Sequence, residues 1–197
     1  MRSRHRDKTK ATGSGSLRII GGDWRGRKLL FPAIDGLRPT SDRVRETLFN
    51  WLGPWLAGAT CLDMFSGSGA LGLEALSRGA AHCDFIERND QAAVAIGDHL
   101  QRLNAQSRGN VVTADALSVR LSPLKHYDVV FIDPPFAANL FQPALECIVE
   151  AGILAANARI YLEQPRLHPL PPAIDHFEIL KDKSAGDVRY FLLATRP

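Results

Sequence analysis

The sequence predicts an α/β fold built on a doubly wound, mostly parallel sheet, and three observations support this prediction. Short apolar runs alternate with amphipathic segments from residue 60 onward, which is typical of repeated strand–helix units. A glycine-rich turn at 67–72 follows the first of these runs. Acidic residues stand at the ends of the first four runs, and ligands bind at this carboxyl edge in open α/β sheets.

The predicted elements follow one another in a regular order. Each strand is a short run of apolar residues that ends at an acid, a glycine turn or a proline. Helices are expected where apolar residues recur every three or four positions. Strands are predicted over 61–64, 82–87, 110–114, 127–133 and 159–163; helices over 73–78, from 90 to about 103 and around 140–149; a loop over 165–172; and a closing hairpin from 177–180 and 188–194.

Charge divides the 197 residues into a basic front and an acidic body. Residues 1–45 hold 12 Lys and Arg against 4 Asp and Glu, whereas residues 46–197 hold 12 against 17. This split favours a polyanionic partner, although a solubilising tail would explain the first residues equally well. The predicted organisation is a disordered basic tail (1–16), a hairpin and helix that face RNA (17–56), and an α/β domain (57–197).

The segment 17–30 is predicted to form a hairpin, with Gly21-Gly22 as a tight turn between two short runs. A helix follows, with Thr40 or Ser41 as its N-cap and an apolar stripe formed by Val44, Leu48, Trp51 or Leu52, and Trp55. Cations that alternate with an aromatic side chain suit contacts with phosphates and bases, although a solvated ribbon is the alternative. The predicted RNA-binding residues are Arg18, Trp24, Arg25, Arg27, Lys28, Arg38, Arg43 and Arg45, of which Arg38, like Thr40, has a possible second role at the cofactor cleft.

Asp133-Pro134-Pro135-Phe136 closes the most apolar of the predicted strands. Neither proline can donate to a sheet ladder, so the strand stops at Asp133. The Asp133 carboxylate and the Pro134 carbonyl can each accept a hydrogen bond from an exocyclic amino group, while Phe136 offers a face for stacking a base. These four residues are the predicted catalytic set. The alternative is a strand followed by a turn, with Asp133 as a helix cap.

Two cofactors compete for the glycine turn. Gly67-x-Gly69-x-x-Gly72, with Glu87 at the end of the next strand, matches the dinucleotide fingerprint and alone favours NAD. Asp63, however, would repel a pyrophosphate, and the turn contains no Lys or Arg to offset it. S-adenosylmethionine carries an ammonium and a sulfonium, which suit an acidic rim.

In the favoured assignment, Asp63 binds the ammonium of S-adenosylmethionine, Glu87 the ribose hydroxyls and Asp115 the adenine amino group, while the glycine turn approaches the methionine part. Individually these acids could serve only as caps or turn residues, but together they indicate a site. The predicted cofactor-binding residues are Asp63, Phe65, Ser66, Gly67, Ser68, Gly69, Gly72, Glu87, Arg88, Asp115, Ala116 and Asp133.

These motifs resemble those of class I methyltransferases that act on exocyclic or amide nitrogens. Four further segments resemble one family, the RsmD-type small-subunit ribosomal RNA guanine-N2 methyltransferases of bacteria. They are Arg18-Ile19-Ile20-Gly21-Gly22, Trp24-Arg25-Gly26-Arg27-Lys28, Leu37-Arg38-Pro39-Thr40, and the segment 42–52. The resemblance begins near residue 17 and is most specific over 18–80. Ser66 stands where an alanine is common.

The resemblance implies a seven-stranded sheet whose last strand is antiparallel. It also implies methylation of one guanine at N2, guanine 966 of 16S ribosomal RNA, in the small subunit or an assembly intermediate. An adenine-N6 or protein glutamine methyltransferase is the nearest alternative, although these enzymes usually have Asn at the first position of the motif. An inactive RNA-binding assembly factor and a nicotinamide oxidoreductase are more distant alternatives.

Other functions have little support in the sequence. No apolar run approaches the roughly 18 residues of a membrane span, and residues 1–10 lack the apolar core of a secretion signal. Cys61, Cys83 and Cys147 are scattered, which favours free thiols in a reducing compartment, and the six histidines show no metal-ligand spacing. We therefore expect a cytoplasmic monomer without a metal.

Overall fold

The computed structural model describes residues 14–34, 40–122 and 124–196. Two antiparallel strands precede a helix and a seven-stranded sheet. In chain order the elements are β1 (Ser14–Arg18), β2 (Lys28–Pro32), α1 (Asp42–Leu56), β3 (Thr60–Asp63), α2 (Ala70–Ser77), β4 (His82–Glu87), α3 (Asp90–Arg102), β5 (Gly109–Thr113), β6 (Tyr127–Ile132), α4 (Phe141–Glu150), β7 (Leu154–Pro165), β8 (Phe177–Ala185) and β9 (Val188–Thr195).

The large sheet has the strand order β5-β4-β3-β6-β7-β9-β8. Strands β3 to β7 are parallel, and β9 runs antiparallel to both of its neighbours, β7 and β8. The predicted doubly wound α/β fold, with its reversed last strand, is therefore confirmed. The chain winds outward from β3 to β5 and then returns beside β3 as β6. The carboxyl ends of β3 and β6 thus form the switch point at which such sheets bind ligands.

Alternate side chains of the parallel strands enter two separate cores, as the pleat of a strand requires. Phe131 and Tyr161 lie in one core, which is covered by the small hairpin and helices α1, α2 and α3. Ile132 and Leu162 lie in the other core, which α4 covers. Within the described residues, no helix is both long and apolar enough to span a membrane.

The hairpin is present, but its connection differs from the predicted tight turn. Strand β1 already begins at Ser14, inside the segment that was assigned to the tail, while residues 1–13 lie outside the described residues. Arg18 pairs with Lys28, so residues 19–27 form a long loop between the strands. Gly22 has a φ of +74°, and a Cβ there would lie 1.8 Å from the Ser77 carbonyl oxygen. Gly22 is thus required by close packing against α2.

Helix α1 begins where it was expected, since the Ser41 hydroxyl accepts a hydrogen bond from the Val44 amide. Val44, Leu48 and Leu52 are buried as predicted. Trp55 is exposed instead, and the Arg159 guanidinium lies 3.8 Å from the centroid of its ring. Phe49 and Leu56 complete the buried face, which packs on β6 and β7.

Two other element boundaries are also wrong in the prediction. Strand β7 begins at Leu154 instead of residue 159, and β8 continues to Ala185 instead of ending at residue 180. Both additions are partly exposed and lack a continuous apolar pattern. They are held as strands by pairing with their neighbours, which a local sequence pattern does not record.

Candidate active site

The acids at the ends of the parallel strands lie along the carboxyl edge of the large sheet. Asp63 and Glu87 are the last residues of β3 and β4. Asp115 follows β5, and Asp133 follows β6. Because β3 lies between β4 and β6, the topology brings together residues that are up to 70 positions apart in the chain.

Asp63 holds the glycine turn in place through a hydrogen bond. The Asp63 carboxylate is only 2% exposed and accepts a hydrogen bond of 3.0 Å from the Gly72 amide. Burial raises the pKa of Asp63 to about 7, and the negative charges of Asp133 and Glu87 act in the same direction, against the Gly72 hydrogen bond. The carboxylate therefore lies beneath the turn, and not at its surface as direct contact with a ligand ammonium would require.

The turn itself presents backbone toward the cleft. Gly67 and Gly69 have φ angles of +52° and +78°, in the left-handed region that favours glycine. The Ser66 amide donates to the Ile86 carbonyl at 3.0 Å, and the Gly69 amide donates to the Ser66 carbonyl at 2.7 Å. Ser66 and Ser68 are buried, while Phe65 is partly buried. Together with the hydrogen bonds to Asp63 and Glu87, these contacts hold the turn in one conformation.

Glu87 connects the end of β4 to the turn. Its two oxygens accept hydrogen bonds from the Gly67 amide at 2.7 Å and from the Asn89 amide at 2.8 Å. An ionised carboxylate has about four acceptor positions, so two hydroxyl groups can still be bound. Glu87 is half-buried, whereas its neighbour Arg88 is exposed.

Asp115 lies beyond the end of β5, on the outer part of the same edge. Its side chain is exposed, and one oxygen accepts a hydrogen bond of 2.9 Å from the Leu117 amide. Ala116 is buried beside Ile86 in the core under α4. The side chain of Asp115 thus remains accessible to a ligand, while Ala116 anchors the backbone next to it.

Asp133 and the residues after it form a stiff corner at the end of β6. The Thr40 hydroxyl donates a hydrogen bond of 2.7 Å to the Asp133 carboxylate. The sequence left open whether Thr40 contacts RNA or the cofactor cleft, and in the structure its side chain contacts Asp133. Burial raises the pKa of Asp133 to about 6, while the Thr40 hydrogen bond opposes this shift.

Beyond Asp133 the corner presents an aromatic ring. Pro134 is buried, Pro135 is exposed, and Phe136 is 37% exposed at the start of a short 3₁₀ turn. The ring centroid of Phe136 lies 6.4 Å from that of Phe141, which lies 5.2 Å from that of His168. The exposed ring is thus supported from behind by an aromatic cluster.

Glu163, at the same edge, was missed as a site residue. It lies in β7 directly beyond Leu162, which pairs with Ile132 of β6. Glu163 is 6% exposed, and the Tyr161 hydroxyl donates a hydrogen bond to it. Burial and the negative charge of Asp133 raise the pKa of Glu163 to about 8. A signal was available, because an acid at the end of the fifth predicted strand continues the pattern of the first four.

The predicted RNA-binding residues separate into two groups. Exposed cations occupy the hairpin, its loop and the start of α1: Arg18, Arg25, Arg27, Lys28 and Arg43. Arg38 lies outside the described residues.

Trp24 and Arg45 were predicted to bind RNA, and this prediction is wrong because both side chains are buried. Trp24 is 8% exposed and packs in the core, with the Arg108 guanidinium 5.6 Å from its ring centroid. Arg45 is 1% exposed and donates hydrogen bonds to the Arg18 carbonyl at 2.8 Å and to Asp42 at 2.6 Å. Both side chains attach the hairpin to the rest of the protein and are not accessible to RNA.

The family assignment comes from comparison with known proteins. The family described as "Conserved hypothetical protein 95" matches residues 17–194. The chain is 45% identical over 185 residues to "Ribosomal RNA small subunit methyltransferase D" of Escherichia coli, covering 94% of this chain and 93% of that protein. The chain belongs to the RsmD family. The relative of the same name from Haemophilus influenzae is 44% identical over 181 residues, covering 90% of this chain and 93% of that protein.

Two solved structures share the fold of this chain. The yhhF protein of Escherichia coli aligns with a TM-score of 0.83 and 42% identity, over 92% of this chain and 99% of that one. A Haemophilus influenzae structure aligns with a TM-score of 0.79 and 41% identity, over 93% and 100% of the two chains. In the part of the chain that is described here, His, Cys, Asp and Glu side chains form no group suited to a metal ion.

Proposed function

We propose that this protein transfers a methyl group from S-adenosylmethionine to the exocyclic N2 of one guanine in 16S ribosomal RNA, the guanine numbered 966, within the small subunit or an assembly intermediate. Such a substrate places the reaction in the cytoplasm. The family and the names of its members support ribosomal RNA as the substrate class. The single observation that carries the chemistry is the corner 133–136, where an acid oriented by Thr40 lies next to an exposed aromatic ring.

The side chains around the glycine turn fit S-adenosylmethionine better than a dinucleotide. Asp63, Glu87, Asp115 and Asp133 are acidic, and none of them forms an ion pair with a Lys or Arg among the described residues. This arrangement suits a ligand that carries positive charge and hydroxyl groups, and it disfavours a pyrophosphate. When bound, S-adenosylmethionine supplies an electrophilic methyl group on a sulfonium sulfur.

The role of each acid follows from its position. Glu87 would bind the ribose hydroxyls through its remaining acceptor positions, and exposed Asp115 would accept from the adenine amino group. The backbone of 67–69 would line the methionine part. Asp63 would act indirectly, because its hydrogen bond to the Gly72 amide holds the glycine turn in place.

The corner 133–136 can orient a planar amine. The N2 lone pair of guanine is delocalised into the ring, so this amine is a poor nucleophile. Hydrogen bonds from its two N–H groups to the Asp133 carboxylate and the Pro134 carbonyl would direct the lone pair toward the methyl group, and positioning of this kind accounts for much of the rate. Stacking on Phe136 would offset part of the few kcal/mol that unstacking a base costs. The proton lost after methylation passes to Asp133 or to water.

The exposed cations of the hairpin lie on an extension that is joined to the catalytic corner. Arg45 of α1 donates to the Arg18 carbonyl at the end of β1, and Thr40, just before α1, donates to Asp133. RNA phosphates held by Arg25, Arg27 and Lys28 would thereby be in a defined position relative to the amine. Phosphate contacts orient a nucleic acid but do not read its sequence.

The decisive experiment incubates the protein with labelled S-adenosylmethionine and small subunits that lack the modification, followed by mapping of the labelled nucleotide. We expect label on N2 of a single guanine, and none with the Asp133→Ala variant. Label on adenine N6 or on a protein glutamine would support the other amino-group methyltransferases. Binding of S-adenosylhomocysteine and subunits without any transfer would support a non-catalytic assembly factor.

Calorimetry separates the two cofactor assignments. S-adenosylhomocysteine should bind and NAD should not. Glu87→Ala should weaken S-adenosylhomocysteine binding by roughly 10- to 100-fold, because hydrogen bonds to a charged group contribute about 1.5–3 kcal/mol. Asp115→Ala should have a smaller effect, since this side chain is exposed to solvent. Tight binding of NAD would exclude the proposed cofactor.

A further inference from the structure

Asp133 directly follows β6 and Glu163 lies near the end of β7, which is the neighbouring parallel strand. The register pairs Phe131 with Tyr161 and Ile132 with Leu162, so the next step of the same register places Asp133 beside Glu163. Both then point to the face that carries Phe131 and Tyr161, because side chains alternate along a strand. The backbones of neighbouring strands lie about 4.8 Å apart, so this register brings the two carboxyl groups close together.

No cation compensates this pair of carboxyl groups. Asp133 accepts from the Thr40 hydroxyl and Glu163 from the Tyr161 hydroxyl, both uncharged donors. Among the described residues, neither acid forms an ion pair with Lys, Arg or His.

The elements packed around Glu163 also bring no positive charge to it. Strand β9 places Tyr190 opposite it, and β3 adds a further acid, Asp63, beside Asp133. On α1, Arg45 is bound to Asp42 and lies 3.7 Å from Glu74, while Arg43 and Glu46 are exposed.

Two adjacent carboxyl groups without a cation cannot both carry charge at low cost, so the pair retains one proton near neutral pH. Two observations favour the proton on Glu163. Glu163 is 6% exposed, whereas Asp133 is partly exposed. The negative charge of Asp133 also raises the pKa of Glu163. The order of the pKa values, about 8 for Glu163 and about 6 for Asp133, agrees with this distribution.

We propose that Glu163 is a positioning residue that holds the shared proton, so that Asp133 carries the single negative charge of the pair and accepts the N–H of the substrate amine. This inference rests on the proposed methyl transfer. Protonated Glu163 places no second charge beside Asp133, so the Asp133 carboxylate keeps its hydrogen bond from the Thr40 hydroxyl. When Glu163 ionises, like-charge repulsion displaces Asp133 from that position and the rate falls.

The test compares the pH dependence of single-turnover methylation in wild-type protein and in Glu163→Gln, which keeps the shape of the side chain but cannot ionise. For the wild type we expect a rate that rises through pH about 6 and falls again through pH about 8. The variant should retain the acidic limb and lose the part of the alkaline limb near pH 8, so that only the contribution of Asp63, with a pKa of about 7, remains. Glu163→Asp should restore the lost part. Glu178→Gln, at an exposed position on β8, is the matched control and should reproduce the wild-type profile.

A second measurement needs neither a substrate nor a variant. In protein with ¹³C-labelled Glu and Asp, the carboxyl signal of Glu163 should titrate at least one pH unit above that of Asp133. Titration of both groups below pH 5, or identical pH profiles of wild type and Glu163→Gln, would overturn the proposal. Failure of the wild type to methylate guanine would instead contradict the proposed function, and the carboxyl titration would still decide the location of the proton.

Discussion

The hairpin extension (residues 14–32) and the carboxyl edge of the large sheet use charge in opposite ways. The extension displays Arg18, Arg25, Arg27 and Lys28 to solvent, whereas the acids of the edge, except for exposed Asp115, are partly or fully buried. Each exposed cation contributes little to binding, and salt screens its interactions. Buried acids, in contrast, raise the pKa of one another. Individual substitutions should therefore matter most at the edge, and grouped substitutions should matter on the extension.

The largest effect is expected at Asp133. Asp133→Ala removes the acceptor of the substrate amine and should reduce the single-turnover rate by on the order of 10³-fold, the scale seen when a preorganised hydrogen bond at a reacting centre is lost. The affinity for S-adenosylhomocysteine should change little, because the carboxylate contacts the amine and not the adenosyl group. Asp98→Ala, at an exposed position on α3, is the control. A normal rate in Asp133→Ala would refute the proposed orientation of the amine.

A substitution of Trp24 tests whether this aromatic side chain of the extension binds RNA or supports the core. Trp24 is buried, so Trp24→Ala should lower the free energy of unfolding by about 3–5 kcal/mol, as do other large-to-small changes in a core. Denaturant unfolding measures this loss. Trp24→Phe should recover much of the stability. If Trp24→Ala weakened binding of the small subunit without any loss of stability, the buried assignment would be wrong.

Reversing the exposed cations should give an intermediate effect. The triple variant Arg25→Glu, Arg27→Glu and Lys28→Glu should bind small subunits roughly 10- to 100-fold more weakly in moderate salt. The slope of log affinity against log salt should decrease by about two, since each lost phosphate contact removes roughly 0.7–0.9 from that slope. Cofactor affinity should not change.

The control for this experiment reverses Lys181 and Lys183, which are exposed on β8 at the edge strand of the sheet. This variant should bind subunits as the wild type does. Normal methylation by the triple variant in moderate salt would show that the extension is only a solvated surface.

The smallest effect concerns stability against pH. The pKa values of Asp63, Asp133 and Glu163 are all raised in the folded protein, so these acids stabilise the fold most at low pH and lose this contribution as pH rises from about 4 to about 8. Glu163→Gln should flatten the decline of the unfolding free energy across this range by on the order of 2 kcal/mol. Parallel curves for variant and wild type would show that Glu163 is charged in the folded state.

Local patterns alone were sufficient for most of the fold and for much of the edge. The period of the apolar residues and the glycine turn predict strands that end at or next to Asp63, Glu87 and Asp133, because these signals lie within a few neighbouring residues. Parallel strands share one edge, so the acids could be assigned to one site before any contact was known. Thr40 was placed at the start of a helix, with RNA or the cofactor cleft as its alternative roles, and its contact with Asp133 was not predicted because that partner is 93 positions away.

The sequence by itself thus determined the fold class, the glycine turn and the corner at 133–136, since each depends on the order of residues along the chain. Only the tertiary structure decided which charged and aromatic side chains are exposed to solvent. Trp24 and Arg45 are residue types that suit an RNA-binding surface, yet both are buried. Trp24 lies beside Arg108 and α2, and Arg45 lies beside α2 and the end of β1. Glu163 becomes the neighbour of Asp133 through strand register, and its proton follows from burial beside another acid. Burial and register depend on elements that are distant in sequence, so no local pattern records them.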